Sequence, residues 1–397
     1  MDTKVWISRL SLTNFRSYAH LELDLGCGTS IFWGNNAQGK TNLIESIWAL
    51  STTKSHRANN ERELINHAAV KNLLPIARLF AQTKRGNTDH TKVELILRLD
   101  ASNSHNTPTT QSTTRKQCSV NGVGLRAIDV MGQIKTVMFS AEDIDLISGA
   151  PNLRRRHLDV VCCQGSSRYR YSLGRYQKVL WQRNHLLSLI QQQRAQINQL
   201  EFWDKELVQY GAYIISERKN LVTALNKQLS QIHHKLTEGT EHLGITYVPS
   251  IGHEECSVEG IAGYFQQALS LSQVKEIAQG ATMIGPHRDD LRFHINGLDM
   301  SNYGSRGQQR TIILALKLAE AQYFQMHDGD PPVLLLDDVL PELDKYRRYR
   351  LLEFVTNFEQ VLITATEPSF FEQSFLTGTT QFQVHKGMVE QAAGLYT

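Results

Sequence analysis

The sequence predicts an α/β fold that is split by a mostly helical arm, and three observations support this. Strand-like apolar alternation and glycine-bounded turns occupy both ends of the chain, whereas apolar residues three and four apart dominate between 153 and 281. A glycine-rich loop follows an early apolar strand, and paired aspartates end a late one. We therefore expect a head domain formed by 1–150 and 282–397, with a helical arm domain at 151–281.

Short strands are predicted on both sides of the arm. Alternating apolar residues and short apolar runs indicate strands at 5–12, 21–25, 30–33, 75–81, 93–99, 291–295, 333–336 and 361–364. Residues 101–117 are rich in Thr, Ser and Asn, which is most simply a solvated loop between the two strands of one hairpin. In the arm, apolar residues three and four apart over 200–236 predict helical structure with a heptad-like spacing. About five heptads make only a short lever, so we expect an arm that packs on itself.

The bulk composition is that of an ordinary globular protein. The 397 residues are 41% hydrophobic, and 42 Lys and Arg against 39 Asp and Glu give a net charge of +3. This balance excludes a uniformly basic histone-like protein and an acidic disordered one, although it allows a local basic patch. Five cysteines without a Cys-x-x-Cys pair favour a reducing compartment. With no signal-like start and no membrane-length apolar run, we expect a cytoplasmic protein without a membrane partner.

The strongest local motif is a phosphate-binding loop between the 30–33 strand and a helix. It reads G-x-x-x-x-G-K-[ST] and consists of Gly34, Asn35, Asn36, Ala37, Gln38, Gly39, Lys40 and Thr41. Backbone N–H groups of such a loop wrap phosphate oxygens, which glycine permits sterically, and the helix N-terminus adds favourable potential. We expect Lys40 to reach the β- and γ-phosphates of ATP and the Thr41 hydroxyl to ligate Mg²⁺. A glycine turn that merely caps a helix is the alternative.

Two aspartates end the apolar strand 333–336. Taken alone, Asp337 and Asp338 would more often mark a turn. Beside a phosphate loop they indicate a site at the carboxyl end of a parallel sheet. We expect Asp337 to hold Mg²⁺, usually through water, and Asp338 to act as the catalytic residue that polarises the attacking water.

A third motif opens the helix that begins near residue 306. Its residues are Ser305, Arg306, Gly307 and Gln308. The simple interpretation is a Ser-capped amphipathic helix. The alternative is a signature motif whose helix N-terminus faces a γ-phosphate. In ABC-type ATPases that phosphate lies on the opposite subunit, so the motif predicts an ATP-dependent homodimer.

A basic segment at 153–183 suggests a nucleic-acid interface. It contains eight Lys or Arg against one acid, a local charge of +7, with Tyr and Trp interleaved. Pairing with carboxylates within the molecule is the competing interpretation for each arginine. The DNA-binding candidates are Arg154, Arg155, Arg156, Arg168 and Arg170, together with Lys54 and Arg57. The last two either contact DNA or brace the loop beside ATP.

The chain resembles the RecF family, which is related to SMC proteins and to ABC-type ATPase heads. The resemblance rests on seven motifs that occur in the order expected for this family. They are GNNAQGKTNLIES (34–46), TKSHR (53–57), FSAEDIDLISGAPNLRRRHLD (139–159), FWDKEL (202–207), IGPHRDDL (284–291), SRGQQRT (305–311) and LLLDDVLPELD (334–344). The resemblance implies an α/β, ABC-type P-loop ATPase head with a mostly helical inserted arm. It also implies ATP-dependent binding to duplex, single-stranded or gapped-junction DNA. The implied partners are RecR and RecO, and the implied role is RecA loading in replication-fork maintenance and DNA repair.

Some residues depart from related ATPases. Asp338 stands where most ABC ATPases have a glutamate base, so we expect weak, DNA-stimulated hydrolysis with ATP as a dimerisation switch. Leu340-Pro341 replaces the usual small residues before Glu342, which bears on the loop to Asp344.

Two other functions are the alternatives to this one. A transporter nucleotide-binding subunit would carry a switch His where the chain has Thr364 and Thr366, and a much shorter separation than the 265 residues from Lys40 to Ser305. The remaining alternative is a nucleotide-locked structural protein that does not hydrolyse ATP.

Overall fold

The computed structural model describes residues 5–70, 75–100, 113–252, 257–327 and 331–392. The strands are β1 (Val5–Phe15), β2 (Tyr18–Asp24), β3 (Gly28–Trp33), β4 (Ile76–Arg85), β5 (Thr88–Asp100), β6 (Thr113–Val120), β7 (Val123–Leu125), β8 (Thr136–Ser140), β9 (Leu243–Val248), β10 (Asp290–Ile295), β11 (Leu298–Asp299), β12 (Val333–Asp337), β13 (Gln360–Ala365), β14 (Thr379–His385) and β15 (Met388–Gln391).

The α-helices are α1 (Lys40–Thr52), α2 (His67–Val70), α3 (Ala127–Val130), α4 (Asp145–Ser148), α5 (Pro151–Gly165), α6 (Ser167–Gln191), α7 (Leu200–Leu236), α8 (Val258–Gln279), α9 (Met300–Tyr303), α10 (Arg306–His327), α11 (Lys345–Val355) and α12 (Gln373–Leu376). Within the described ranges, no helix combines the length and the apolarity that a bilayer crossing requires.

Two compact units divide the chain, one formed by 1–143 with 321–397 and the other by 144–320. The segment expected to form the arm, 151–281, lies inside the second unit, but that unit continues to residue 320. Strand β10 accounts for the difference, because its antiparallel ladder with β9 ties the segment after 281 to the arm by backbone hydrogen bonds. The observed division therefore differs from the expected boundaries at 150 and 282.

A mostly parallel sheet carries the chemistry-bearing motifs of the first unit. Its strand order is β15-β14-β3-β13-β12-β8, with only β15 antiparallel to its neighbour. Strands β12 and β13 are buried at every position, which is why they read as continuous apolar runs rather than as alternating patterns. The predicted α/β architecture of the head follows from this sheet.

An antiparallel sheet with the order β2-β1-β4-β5-β6-β7 forms the other layer of this unit, and α1 contacts strands of both sheets. The side chain of Gln360, which is fully buried at the start of β13, joins the two sheets. Its amide donates to the carbonyl oxygens of Ile7 (2.8 Å) and Gly26 (3.1 Å) and accepts from the N–H of Ile7 (2.9 Å). One side chain thus satisfies backbone groups of β1 and of the turn before β3.

The second unit contains the long helices α6, α7 and α8, residues 306–320 of α10, and a small sheet of order β11-β10-β9. Helix α7 covers the predicted 200–236. Its 37 residues correspond to a length of about 55 Å. Arg183 on α6 is fully buried and pairs with Asp204 on α7 (2.6 Å) and Glu276 on α8 (2.7 Å). The arm packs on itself, as expected, around this buried charge cluster.

Several strands differ from the sequence-based expectations. Residues 113–117 of the expected loop 101–117 belong to β6, because they pair with β5 on the antiparallel sheet, while 101–112 lie outside the described residues. Strand β9 lies within the segment expected to be helical, and the expected strands include none at β8, β14 or β15. These strands are short or half-exposed, so their apolar patterns are weak.

We predict that Gln360→Met destabilises the protein. The change keeps the side-chain volume but leaves the backbone groups of Ile7 and Gly26 without partners, which costs about 2–4 kcal/mol. Urea unfolding followed by circular dichroism measures this difference. Gln196→Met, at an exposed position, is the control. A Gln360→Met protein as stable as the control would contradict the assigned role.

Candidate nucleotide-binding site

The candidate site lies where three parallel strands of one sheet end. Strand β13 is paired with β3 on one side and with β12 on the other. The phosphate loop follows β3, the aspartate pair follows β12, and Thr364 lies near the end of β13. Because the carboxyl ends of parallel strands meet at one edge, segments about 300 residues apart in sequence come together there.

Two glycines allow the close turns of the phosphate loop. Gly34 has a φ of 156° and Gly39 a φ of 115°, both unfavourable for L residues. A Cβ on Gly34 would lie 2.3 Å from the carbonyl oxygen of Val384, and one on Gly39 would lie 2.8 Å from Ser17 Oγ. Helix α1 begins directly after Gly39 at Lys40, so its first N–H groups face the loop.

The remaining loop residues are either exposed or braced by the final hairpin. Asn35, Asn36 and Ala37 are exposed. Gln38 accepts hydrogen bonds from the backbone N–H groups of Lys386 (2.8 Å, side chain) and Gly387 (3.0 Å, carbonyl), in the turn between β14 and β15. This brace is distant in sequence, and no local pattern at Gln38 indicates it.

Lys40 is almost fully buried and curls back over the loop. Its Nζ donates to the carbonyl oxygens of Gly34 (2.7 Å) and Asn35 (2.9 Å). Burial lowers the pKa of the Lys40 ammonium, while the nearby carboxylates of Asp338 and Asp337 act in the opposite direction. The loop carbonyls therefore hold the ammonium in place, and the two aspartates favour its charged form.

Thr41, Asp337 and Thr364 form a hydrogen-bonded group of oxygen atoms. The Thr364 hydroxyl donates to Asp337 Oδ1 at 2.8 Å, and the Thr41 side chain also hydrogen-bonds to Asp337. Burial raises the pKa of the Asp337 carboxyl, and these hydrogen bonds oppose that shift. Hydroxyl and carboxylate oxygens are the donors that suit Mg²⁺, so the residues present fit the expected ion.

Asp338 combines an unfavourable backbone with an unpaired oxygen. Its φ of 52° lies in the left-handed region, and its N–H donates to Thr364 Oγ1 at 2.9 Å. Its Oδ1 is buried and has no hydrogen-bond partner among the described residues. Strained backbone and unsatisfied buried acceptors cluster at functional sites, which suits a carboxylate that orients a water molecule.

The TKSHR segment is held against α1 through Ser55. Its hydroxyl lies 2.5 Å from Glu45 on α1, and Glu45 is paired with Arg16 at 2.7 Å. A cavity of about 630 Å³ lies beside this group, lined by Arg16, Ser17, Asn42, His56, Arg57, Glu63, Ile65, His67 and Glu142. Burial lowers the pKa of His56 to about 4. Lys54 and Arg57 are exposed, and Arg57 lies 3.6 Å from Glu142.

The signature-like motif lies in the second unit and begins α10. Ser305, Arg306 and Gly307 are exposed. The Ser305 hydroxyl accepts from the N–H of Gln308 (3.2 Å), and the Gln308 side chain accepts from the N–H of Ser305 (3.1 Å). This reciprocal pair is a capping box, and the Ser-x-x-Gln spacing in the sequence is its signal.

Several arginines of the basic segment are paired with acidic side chains of the second unit. Arg154 is buried, is paired with Asp290 at 2.7 Å and donates to the Gly149 carbonyl at 2.8 Å, so it is built into the interior rather than offered to DNA. Arg175 pairs with Glu206 at 3.2 Å, and Arg183 is buried in the arm. The local charge of +7 therefore overstates the charge of the surface.

The other arginine candidates differ in exposure. Arg156 and Arg168 are exposed, and the Arg168 guanidinium lies over the Tyr213 ring at 4.3 Å. Arg155 is half-buried and donates to the Asp289 carbonyl at 2.9 Å, while half-buried Arg170 donates to the Cys163 carbonyl. Of the set on α5 and α6, Arg156 and Arg168 are the best placed to meet a phosphate backbone.

Relatives of known family match nearly the whole chain. A family model described as RecF/RecN/SMC N terminal domain matches residues 6–390. The DNA replication and repair protein RecF of Herpetosiphon aurantiacus is 40% identical over 393 residues, covering 97% of this chain and 99% of that protein. RecF of Chloroflexus aggregans is 38% identical over 395 residues, with 97% and 99% covered. The chain belongs to the RecF family.

Solved structures agree with this RecF assignment. The recombination mediator protein RecF with ATP, of the RecFOR pathway, has a TM-score of 0.86 and 31% identity, with 99% of each chain covered. The Smc head domain of Pyrococcus furiosus has a TM-score of 0.53 at 16% identity, with 98% of this chain and 96% of that one covered, and so shows the fold alone. The predicted RecF-like, SMC-related head is confirmed, and the transporter alternative is not favoured.

We predict that Asp337→Asn stabilises the nucleotide-free protein. Because the folded-state pKa of this acid is raised, its charged form opposes folding above that pKa, and the cost disappears as the pH falls and the carboxyl is protonated. The gain is largest at pH 8, where Asp337 is charged, is reduced there by the lost attraction to the Lys40 ammonium, and becomes smaller towards pH 4. Urea titrations at both pH values measure it, with exposed Asp24→Asn as the control. Destabilisation at pH 8 would contradict this account.

Proposed function

We propose that the protein is an ATP-dependent DNA-binding recombination mediator. ATP closes a homodimer on duplex, single-stranded or gapped-junction DNA and is hydrolysed slowly. With RecR and RecO, the dimer promotes RecA loading during replication-fork maintenance and DNA repair in the cytoplasm. Membership of the RecF family and the RecFOR pathway named for its structural relative support the partners.

The observation that carries the proposal is the group formed by Lys40, Thr41 and the aspartate pair at one sheet edge. Lys40 supplies a buried cation for β- and γ-phosphate oxygens, and α1 supplies backbone N–H groups. Thr41 and Asp337 would hold Mg²⁺, which neutralises phosphate charge when it is bound. Asp338 accepts a hydrogen bond from the attacking water and orients it. An aspartate reaches less far towards the attacking water than the glutamate of most ABC ATPases, which suits slow turnover.

The signature motif supports the homodimer. Ser305 and Gly307 are exposed at the N-terminus of α10, a 22-residue helix whose first N–H groups favour an anion. The chain carries one such motif and one phosphate loop. In the proposed dimer each motif contacts the γ-phosphate bound by the other copy, so two equivalent sites close together.

The loop that follows Asp338 is compatible with this arrangement. Leu340–Glu342 forms a 3₁₀ turn with Pro341 in its first positions, where the missing N–H costs nothing. Asp344 then caps α11 by accepting from the N–H of Arg347 at 2.9 Å. The departure at Leu340-Pro341 is thus accommodated locally in this unit.

We predict that ATP with Mg²⁺ converts the wild-type protein to a dimer and that Lys40→Ala abolishes this. Loss of the buried cation weakens ATP binding about tenfold to a hundredfold. Analytical ultracentrifugation with and without ATP and gapped DNA measures the dimer, and exposed Lys275→Ala is the control. Nucleotide-independent DNA binding by the wild type would contradict the switch. Equal phosphate release by the wild type and Lys40→Ala would favour the non-hydrolytic alternative.

We predict that Arg156→Ala and Arg168→Ala weaken DNA binding with little dependence on base sequence. Each lost phosphate contact makes the negative slope of log K against log salt shallower by about 0.9 on duplex DNA. Fluorescence anisotropy at several salt concentrations measures the slope. Arg194→Ala, an exposed arginine outside the candidate set, should leave it unchanged. Identical slopes for all three variants would argue against an interface at α5 and α6.

A further inference from the structure

The signature motif is tied to a residue that neither the motifs nor the expected site includes. Gln308 uses its side-chain oxygen to accept from the Ser305 N–H, and its Nε2 donates to Glu241 Oε1 at 2.8 Å. Both ends of one amide are therefore engaged. All three residues belong to the second unit, and Glu241 lies 67 residues before Gln308.

Glu241 stands in the short connection between α7 and β9. Its side chain is 20% exposed, and its Oε2 lies 3.6 Å from Nε2 of His233 in the last turns of α7. The neighbouring His242 is fixed by Asn296, whose side chain accepts from the His242 N–H at 3.0 Å. The carboxylate is thus held between the end of the long arm helix and the start of the signature helix.

From this contact we propose that Glu241 is a positioning residue for the signature motif. By accepting from Gln308 Nε2, it selects the amide orientation in which Gln308 Oε1 faces the Ser305 N–H. The opposite orientation would place an NH₂ group against that N–H and break the capping box. The proposal rests on the proposed function in one respect, which is that Ser305 and Gly307 meet nucleotide bound to a second copy.

The chemistry of the contact between Glu241 and Gln308 favours a positioning role over an incidental surface hydrogen bond. A hydrogen bond to a carboxylate is stronger than one between neutral groups, and a half-buried amide loses more when its acceptor is removed. Glu241 itself makes no contact with the exposed face of Ser305 and Gly307 among the described hydrogen bonds. Its effect therefore passes through Gln308, and a change at Glu241 should alter the order of the motif rather than remove a ligand group.

The test compares Glu241→Ala, Glu241→Gln, Gln308→Ala and the double alanine variant. Hydrogen–deuterium exchange on the nucleotide-free protein measures protection of the Ser305 N–H. We expect about tenfold faster exchange in both single alanine variants, no further increase in the double variant, and a rate within about twofold of wild type for Glu241→Gln, which keeps an acceptor. Glu238→Ala, an exposed change in the same connection, is the matched control.

ATP-dependent dimerisation supplies the second measurement. Glu241→Ala should raise the dimer dissociation constant about fivefold to tenfold while the affinity of the dilute monomer for a fluorescent ATP analogue stays unchanged. Unaltered exchange in Glu241→Ala, or a glutamine variant as impaired as alanine, overturns the positioning role. If exchange changes as expected but the wild type does not dimerise with ATP, the proposed function fails while the positioning role stands.

Discussion

The site depends on the position of β13 between β3 and β12. Parallel pairing on both sides brings the phosphate loop and the aspartate pair to one edge of the sheet. Thr364 then links the Asp337 carboxylate to the backbone of Asp338, since its hydroxyl donates to Asp337 Oδ1 and accepts from the Asp338 N–H. At the other end of β13, Gln360 joins this sheet to the antiparallel one. Strand β13 thus contributes both to the candidate site, through Thr364, and to the packing of the two sheets, through Gln360.

Features with a local signal could be predicted from the sequence. The phosphate loop, the buried strand before Asp337 and the helical character of 200–236 each have residue types and spacing that determine their conformation, and the structure has them as expected. The contacts of Gln38 with the 386–387 turn and of Gln308 with Glu241 have no such signal, because they join segments far apart in the chain. Only the folded topology identifies these partners.

The basic segment 153–183 shows that a count of charged residues has to be combined with the burial of each side chain. Arg154 and Arg183 contribute to the count as fully as Arg156 does, yet each of the first two faces carboxylates inside its unit. Those acids lie outside 153–183, so the segment looks more basic than the surface it forms. Exposure reduces the strongest candidates on these helices to Arg156 and Arg168.

The backbone at Asp338 has a consequence for how this site could evolve. Aspartate and asparagine tolerate the left-handed region better than most residues, and Asp338 occupies it with a φ of 52°. Lengthening the side chain to glutamate would add reach but place a less tolerant residue on the same backbone. If Asp338 has the proposed catalytic role, a longer acid at this position would therefore also need a relaxed turn. In the proposed function, the conformation of the main chain at Asp338 would thus help to keep turnover slow.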